Sequence, residues 1–307
     1  MSGLPFVDAA EVRRRISPDR ARRLVEQALR SGFDPADDPA RVPVDAGAGH
    51  LLLMPSGIGD WVGVKLASVA PGNPARGLPR IQAVYLLLDA ETLTPRLLVD
   101  GSSLTELRTP ATSAVAADHL AAPDARRLVV FGSGPQAVEH AVAMSAVRDL
   151  DDVALAGRSP DRLTAAVAGL QDRGIDARAV DGAEQVAAAV AGADIVVCAT
   201  SAGEPVFDGT LVRDGVCVVA IGSHEPDRRE LDEGLMGRSL VVVEDRATAM
   251  RECGDVVLAV DAGVLTTDDL VPLADVVNGR ARVTDRPNVF KGSGMSWQDL
   301  AVAVGVV

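Results

Sequence analysis

The sequence predicts an α/β protein in which a doubly wound parallel sheet of the Rossmann type follows a separate α+β domain. Three observations predict this fold: a glycine-rich turn between a strand and a helix near mid-chain, alternating strands and helices after that turn, and successive strands before it. Parallel strands need helical crossovers, whereas successive strands joined by tight turns pair antiparallel.

The glycine-rich turn at residues 132–137 reads Gly-Ser-Gly-Pro-Gln-Ala and fits the pattern G-x-G-x-x-G/A between an apolar run at 128–131 and a helical stretch. Gly132 permits the tight turn, Gly134 lets the backbone approach a pyrophosphate, and Ala137 lets the helix pack closely on the strand. The helix N-terminus offers N–H groups and a positive dipole to phosphates. The expected dinucleotide contacts are Gly132, Ser133, Gly134, Pro135 and Gln136.

Short apolar runs after the turn predict five further strands, at 153–156, 177–180, 194–200, 216–221 and 240–243. Helices are expected at about 160–171, 183–191 and 246–252, the first with Ser159 as N-cap and Pro160 at its first position. Ligands of such sheets bind beyond the carboxyl ends of the strands. The loops at Gly132, Gly157, Thr200 and Gly222 should therefore converge, and we expect Thr200 and Ser223 to contact the cofactor.

The first 110 residues have a different pattern. A helix is expected at 19–30, and strands are expected at 51–54, 61–69, 81–88 and 96–99, joined by turns. Strands in succession predict an antiparallel sheet and hence a separate α+β domain.

A helix is expected where this domain ends. Residues 103–106 have the capping-box form S-x-x-E. Pro110 lacks the N–H that would bond back to Glu106, so a fresh start is favoured, with Thr109 as N-cap and Pro110 at the first position. That N-terminus, beside Arg108, should then bind an anion.

Composition excludes several classes. The net charge of −13 argues against nucleic-acid and anionic-membrane partners. No apolar run approaches the roughly 18 residues of a membrane span, and the first twenty residues lack a signal-peptide core, so a cytoplasmic location is expected. Three cysteines without C-x-x-C favour buried thiols, and four histidines without metal spacing predict no metal site.

Several motifs in order along nearly the whole chain resemble the ornithine cyclodeaminase/mu-crystallin family. They are LLLMP at 51–55, GVK at 63–65, PGN at 71–73, DG at 100–101 with LRT at 107–109, the glycine-rich turn, RELD at 229–232 and FKGSGM at 290–295. The resemblance implies a homodimer with a substrate-binding and dimerisation domain (1–110, joined by a last helix at 296–307). It also implies a Rossmann dinucleotide-binding domain at 111–295.

The resemblance also implies the chemistry. In this family a nicotinamide exchanges hydride with the α-carbon of an amino or imino acid. We favour an NAD(P)(H)-dependent oxidoreductase of amino-acid metabolism that acts on a small cyclic ketimine, an imino acid or the corresponding amino acid. One alternative is an ornithine cyclodeaminase that converts ornithine to proline and ammonia with recycled NAD. A second is a mu-crystallin-like NADPH-dependent binding protein with little turnover.

Three cations are candidates for the substrate site. Arg108 is expected to clamp a substrate carboxylate through two parallel hydrogen bonds; the alternative is a surface pair with Glu106. Lys65 lies among apolar residues and is expected to be a carboxylate partner or a general acid/base; the alternative is an outward-facing lysine. Arg41 matches the family's other carboxylate-binding arginine, although a solvated loop arginine is nearly as good an interpretation.

His224 is the second candidate catalytic residue. It falls where cyclodeaminases of the family carry an aspartate and mu-crystallin a serine, and a histidine there suits proton transfer near neutral pH. Its alternative role is to cap the next helix. The resemblance further implies that Lys291 and Ser293 lie near the nicotinamide, where a flexible Gly-Ser-Gly loop is the alternative. Thr109 is expected to bond a cofactor phosphate.

The end of the second strand predicts the cofactor. An NAD site usually carries Asp or Glu there, about 20 residues beyond the glycine turn, for the ribose 2′-OH. This chain has Gly157, Arg158 and Ser159 instead. Arg158 and Ser159 are therefore expected to bind a 2′-phosphate, with NADP(H) preferred and NAD(H) possible. Alternatively, Arg158 stacks on adenine or points to solvent.

Overall fold

The computed structural model describes residues 3–307. The chain divides into two compact units, the first containing the residues up to Thr109 together with Gly294–Val307, and the second containing Pro110–Ser293. None of the helices in the described range is both long enough and apolar enough to cross a membrane.

The first unit is built on one six-stranded sheet. Its strands are β1 (Phe6–Val7), β2 (Val42–Ala46), β3 (Gly49–Ile58), β4 (Trp61–Val69), β5 (Ile81–Asp89) and β6 (Pro95–Asp100), in the order β1-β6-β5-β4-β3-β2. Four of the five pairings are antiparallel, as expected. The expectation of a purely antiparallel sheet is wrong at one edge, because the two-residue β1 pairs parallel with β6 and is too short to give a sequence signal.

Successive side chains along β4 point alternately to the two faces of this sheet. Met54, Lys65, Tyr85 and Val99 lie side by side in one row across β3, β4, β5 and β6. All four are at most 3% exposed. Lys65 therefore lies on the buried face, which excludes the alternative of an outward-facing lysine.

Helices α1 (Ala9–Arg15), α2 (Pro18–Arg30) and α11 (Ser296–Val304) belong to this unit. The C-terminal helix α11 packs on β3, β4 and α2. Trp297 anchors it: the indole is fully buried and its ring centre lies 5.9 Å from that of Phe33. A mainly apolar helix of nine residues thus fixes the polar pair Gln298 and Asp299 against the sheet.

The long helix α3 (Gly101–Leu120) corrects the expectation of a restart at Thr109. The helix is continuous through Pro110, so Thr109 is not an N-cap and no helix N-terminus lies beside Arg108. The start is at Gly101, where Asp100 Oδ1 accepts from the Ser103 N–H at 2.7 Å. An interior proline costs about 3 kcal/mol. The nearly continuous burial of α3 offsets that cost.

The second unit is an eight-stranded, wholly parallel sheet. Its strands are β7 (Arg127–Phe131), β8 (Asp152–Ala156), β9 (Ala177–Val180), β10 (Ile195–Cys198), β11 (Cys217–Ala220), β12 (Leu240–Val243), β13 (Leu270–Pro272) and β14 (Asn288–Lys291). The order β13-β12-β14-β11-β10-β7-β8-β9 reverses direction at β7 and β10, which defines a doubly wound Rossmann-type sheet. Its core is largely valine, alanine and leucine.

Helices connect these strands. They are α4 (Pro135–Ser145), α5 (Pro160–Gln171), α6 (Ala183–Gly192), α7 (Glu233–Arg238), α8 (Arg246–Glu252), α9 (Gly254–Asp261) and α10 (Leu273–Val277). The six predicted strands and the helices at 160–171, 183–191 and 246–252 are confirmed with small shifts at their ends. Two strands were missed. β14 lies between β11 and β12, but only three of its residues precede Lys291 and a glycine-rich turn, so it looked like a loop.

Candidate active site

The second unit carries an open cavity of about 870 Å³ at the carboxyl ends of β7, β8 and β10. The predicted cofactor contacts that line it are Gly132, Ser133, Gly134, Pro135, Gln136, Arg158, Ser159 and Thr200. The sheet therefore brings together residues from three loops that lie far apart in sequence, as the topology requires.

The glycine-rich turn has the geometry that each small residue was expected to provide. Gly132 has φ +127°, and a Cβ there would lie 2.5 Å from the carbonyl oxygen of Ala199. Gly134 caps α4, and no atom lies within 4 Å of where its Cβ would be. Ala137 is fully buried on the inner side of α4. The backbone at Gly134 is thus open to a pyrophosphate at a helix N-terminus, which fits a dinucleotide.

Two arginines border the cavity where β8 ends. Arg158 is exposed, and Arg162, which the sequence reasoning missed, is exposed one turn further on in α5. Neither arginine forms an ion pair within residues 3–307. Residues 157–159, which directly follow β8, include no carboxylate. Arg162 lies in the first turn of α5, directly after the loop that carries Arg158, and this closeness in sequence was the signal that could have linked the two residues.

Glu230, a residue of the RELD motif, joins two loops at this edge of the sheet. Its Oε1 accepts from the N–H and the hydroxyl of Thr200, each at 2.7 Å, and its Oε2 accepts from the N–H of Gly222 at 2.7 Å. Burial raises the pKa of this carboxyl. A fully buried side chain thereby holds the Thr200 loop in the position where it lines the cavity.

Four other predicted cofactor contacts have protein partners and do not line this cavity. Thr109 donates to the carbonyl of Thr105 at 2.9 Å within α3. The Ser223 hydroxyl donates to Asp255, and the Ser293 hydroxyl donates to Glu244 at 2.5 Å. Lys291 is fully buried at the end of β14 and donates to the Gly292 carbonyl at 2.8 Å. Their polar groups are engaged inside the second unit or along α3.

Buried acidic groups surround Lys291. Its Nζ lies 3.8 Å from Asp255 Oδ2. Burial alone would lower the pKa of this ammonium, but the nearby Asp255, Glu230 and Glu244 raise it. Residues 292–295 form a loop, as the alternative interpretation expected, but this loop is largely buried and the Ser293 hydroxyl is hydrogen-bonded. Lys291 serves as the counter-cation of a buried acidic network that links the ends of β11, β12 and β14.

The first unit contains a second cluster, centred on Lys65. Lys65 Nζ lies 2.7 Å from Asp299 Oδ2 and 3.2 Å from Thr105 Oγ1. Burial lowers the pKa of the Lys65 ammonium to about 8, the carboxylate of Asp299 opposes this shift, and the charges of Arg108 and Arg41 add to it. An ammonium with this pKa can both hold and release a proton near neutral pH.

Arg108 lies beside Lys65 in the same unit and is only 6% exposed. Its Nη1 donates to Gln298 Oε1 at 2.9 Å, and its Nε lies 3.5 Å from Asp299 Oδ1. Glu106 instead pairs with Arg13 at 2.7 Å on the surface. The alternative of an Arg108–Glu106 surface pair is therefore excluded.

Arg41 is half-buried just before β2, and its charge acts on Lys65. Asp38 lies nearby and accepts from the N–H of Trp297 at 3.0 Å. Burial raises the pKa of the Asp38 carboxyl to about 6. Tyr85, the chain's single tyrosine, is fully buried, and its hydroxyl has no hydrogen-bond partner within the described part of the chain.

His224 lies in the loop that follows β11 and is exposed. Its neighbour Ser223 is buried, so the chain turns outward between the two residues. The structure thus places His224 at the carboxyl edge of the sheet but on its solvent side. No group of three or more His, Cys, Asp or Glu within residues 3–307 is arranged to hold a metal ion.

A Rossmann-type cavity in one unit and a buried lysine–arginine cluster in the other define a dinucleotide-dependent oxidoreductase. The chain belongs to the ornithine cyclodeaminase/mu-crystallin family, whose sequence profile matches residues 5–307.

Named relatives of the chain include reductases and a dehydrogenase. The chain is 35% identical over 246 residues to a delta(1)-pyrroline-2-carboxylate reductase of Paracoccus denitrificans, covering 78% of this chain and 77% of that protein. The fold matches the Thermococcus litoralis delta(1)-pyrroline-2-carboxylate reductase in complex with NADH and L-proline, with a TM-score of 0.91, 28% identity and coverage of 99% and 96%. It also matches an archaeal alanine dehydrogenase dimer with bound NAD, with a TM-score of 0.90, 30% identity and coverage of 99% and 94%.

Proposed function

We propose that this chain is an NAD(P)H-dependent reductase of small cyclic ketimine carboxylates, or catalyses the reverse oxidation of the corresponding amino acid. The observation that carries the proposal is the buried Lys65–Arg108 pair in a chain that also has a dinucleotide cavity. The named activities of the relatives support the same chemistry.

In the proposed mechanism, each residue has one task. The guanidinium of Arg108 binds the substrate carboxylate, and the charge of Arg41 supports that binding. The cofactor, when bound, supplies a hydride to the α-carbon and thus two electrons to the C=N bond. Lys65 donates the proton that the ring nitrogen gains, so that the product is the cyclic amino acid. His224 is the alternative proton donor.

A substrate panel tests this proposal. Purified protein is assayed by NADPH and NADH absorbance with five- and six-membered cyclic ketimine carboxylates, with pyruvate plus ammonia, and with ornithine plus NAD. We expect turnover on at least one cyclic ketimine and little or none on ornithine. Absence of turnover on every imine would contradict the proposal. If the protein still bound the cofactor tightly, that result would favour a mu-crystallin-like binding function.

Cyclodeaminase activity is the second candidate, and His224 argues against it. Ring closure requires a group that attracts the substrate ammonium, and a carboxylate with a pKa near ~3.9 is anionic throughout neutral pH. An imidazole is either neutral or cationic and provides no such negative charge. Efficient conversion of ornithine to proline would overturn this interpretation.

NADP(H) is the preferred cofactor in this proposal, because two exposed arginines border the cavity where an NAD site would carry an acid. We expect Arg158→Ala and Arg162→Ala each to weaken NADPH binding about tenfold or more, since a charge-assisted hydrogen bond contributes roughly 1.5–3 kcal/mol. The dissociation constant for NADH should change less than about twofold in both variants. Dissociation constants from nucleotide fluorescence measure both effects.

Arg126→Ala is the matched control for these two variants. Arg126 is about as exposed but precedes β7 at the opposite end of the strand, so it tests the loss of one positive charge without a change in the cavity. Equal losses of NADPH affinity in all three variants would contradict the proposal that Arg158 and Arg162 bind the 2′-phosphate. A wild-type protein that binds NADH as tightly as NADPH would also contradict it.

A homodimer is proposed through the outer face of the first unit's sheet, defined here as Val42, Leu53, Val64, Leu66 and Leu86. Val42, Leu53 and Leu66 are paired across three adjacent strands and are 49%, 38% and 36% exposed. Contiguous exposed apolar surface of this kind marks an interaction site. The archaeal alanine dehydrogenase, a dimer, supports a second copy of the chain as the occupant.

Leu66→Glu tests this interface, because it places a charge at the centre of the face. We expect light scattering to show a wild-type mass of twice 31.8 kDa and a variant mass of 31.8 kDa. Val283→Glu is the control, since Val283 is 40% exposed in the second unit. A wild-type monomer, or a Leu66→Glu dimer, would contradict the proposal.

The cytoplasmic location expected from the sequence remains a prediction.

A further inference from the structure

A carboxylate on the C-terminal helix lies at ion-pair distance from both Lys65 and Arg108, the two buried cations of the first unit. Asp299 has no solvent exposure; its Oδ2 lies 2.7 Å from Lys65 Nζ, and its Oδ1 lies 3.5 Å from Arg108 Nε. Lys65 comes from β4 and Arg108 from α3, so a single acidic side chain spans cations from two different elements. Within residues 3–307, Asp299 is the only carboxylate at ion-pair distance from Lys65 Nζ.

Gln298 and Gly294 also lie against the guanidinium of Arg108. Gln298 is fully buried and accepts from Arg108 Nη1 at 2.9 Å. Gly294 has φ +78°, and a Cβ there would lie 2.6 Å from Arg108 Nη1. The start of α11 and the turn before it therefore fix the orientation of Arg108 by hydrogen bonding and by close packing.

We propose that Asp299 is the positioning residue of the reaction: it holds Lys65 as a protonated donor beside Arg108 in a buried three-charge cluster. The inference rests on the proposed function, in which Lys65 supplies the proton. Asp299 contacts the two cations and does not itself react. Removing it would leave two buried cations side by side without their shared anion, which is strongly unfavourable.

The charges that face Lys65 come from every element around it. Arg108 on α3 and Arg41 before β2 favour the neutral amine, as does burial, while Asp299 on α11 favours the ammonium. Tyr85 on β5 lies opposite Lys65, and its phenol has a raised pKa because of burial, so it stays uncharged.

Two further groups complete this environment. Thr105 on α3 is a neutral hydrogen-bond partner of Lys65. The charge of Asp299 contributes to the raised pKa of Asp38, and Asp38 is not among the groups that shift the pKa of Lys65. Asp299 is thus the anion that opposes burial and two cations at Lys65.

Asp299→Asn tests the proposal with little change in shape. In wild type, kcat/KM for NADPH-dependent ketimine reduction should fall as the pH rises through the pKa of Lys65, because the donor loses its proton. The variant should show this fall at least about one pH unit lower, which is about a tenfold loss at alkaline pH with recovery in acid. NADPH affinity, measured separately, should stay within about twofold.

Gln298→Leu is the matched control, because it removes a partner of Arg108 and leaves Asp299 in place. We expect a higher KM with the alkaline fall of kcat/KM at the wild-type pH. A purely structural role of Asp299 would lower activity without moving that pH. An active wild type whose pH profile is the same in Asp299→Asn would overturn the inference, whereas an inactive wild type would overturn the proposed function.

Arg41→Gln keeps the inference testable if Asp299→Asn does not fold. Arg41 is half-buried and lowers the pKa of Lys65, so its removal should move the alkaline fall to higher pH. An unchanged profile in Arg41→Gln would mean that the local charges do not control the proton donor, and it would overturn the inference.

Discussion

Replacing Arg108 with alanine is expected to lower kcat/KM for ketimine reduction about a hundredfold. Loss of a charge-assisted bidentate pair with the substrate carboxylate corresponds to roughly 3 kcal/mol. The guanidinium is preorganised by Gln298 and Asp299, so little of the binding free energy is lost to ordering the side chain. NADPH affinity should change little, because the residues that line the dinucleotide cavity all lie in the second unit, between Phe131 and Val206 in the sequence. Steady-state kinetics and nucleotide fluorescence measure the two effects.

Two variants accompany this measurement. Arg108→Lys should not restore activity, because a single ammonium lacks the planar fork that binds a carboxylate. Arg13→Ala is the control: it also removes an arginine that pairs with a carboxylate, but this pair lies on the surface at Glu106. Surface pairs contribute about 0–1 kcal/mol, so kinetics should be nearly unchanged. Wild-type kinetics in Arg108→Ala would exclude Arg108 as the carboxylate clamp.

Replacing Lys65 with methionine is expected to lower kcat by about 10²–10⁴, the usual contribution of a positioned general acid. Methionine keeps most of the volume on the buried sheet face, so the fold should persist. In wild type the rate of reduction should decline as the pH rises through about 8, where burial places the pKa of Lys65. This sign follows because the ammonium is the competent donor and is lost at higher pH.

His224 as the proton donor predicts a different response to mutation. If it delivered the proton, His224→Ala would abolish the decline of the rate with rising pH, and Lys65→Met would leave it in place. The comparison of Lys65→Met with His224→Ala therefore assigns the donor. A decline that disappears in His224→Ala, with an active Lys65→Met variant, would show that His224 and not Lys65 is the proton donor.

The sequence predicted the elements whose signal is local. The glycine-rich turn, the strand before it and helix α4 follow from backbone sterics and apolar patterning, and these are local properties. Lys65 was singled out because a cation among apolar neighbours requires a partner or a task. Arg108 was singled out by the LRT motif at 107–109 and by an expected helix start at Thr109 that the structure does not have. Neither signal identified Asp299 as the partner of both side chains.

What the sequence could not predict depends on tertiary packing. Asp299 lies 234 residues from Lys65 along the chain, in a short and mainly apolar helix, so no local pattern pairs them. β14 is a buried central strand that ends in Lys291, and only the surrounding carboxylates make a cation tolerable there. At Pro110 the local rule failed, because burial along the whole of α3 outweighs the loss of one hydrogen bond.

The most direct test of the central claim is isotope transfer from the cofactor. NADPH carrying deuterium at the transferring C4 position is incubated with the protein and delta(1)-pyrroline-2-carboxylate, and the product is examined by mass spectrometry. We predict proline with one deuterium, located on the α-carbon, formed in step with NADPH oxidation. Proline without deuterium at that carbon, or cofactor oxidation without any cyclic amino acid, would contradict hydride transfer to the α-carbon by this protein.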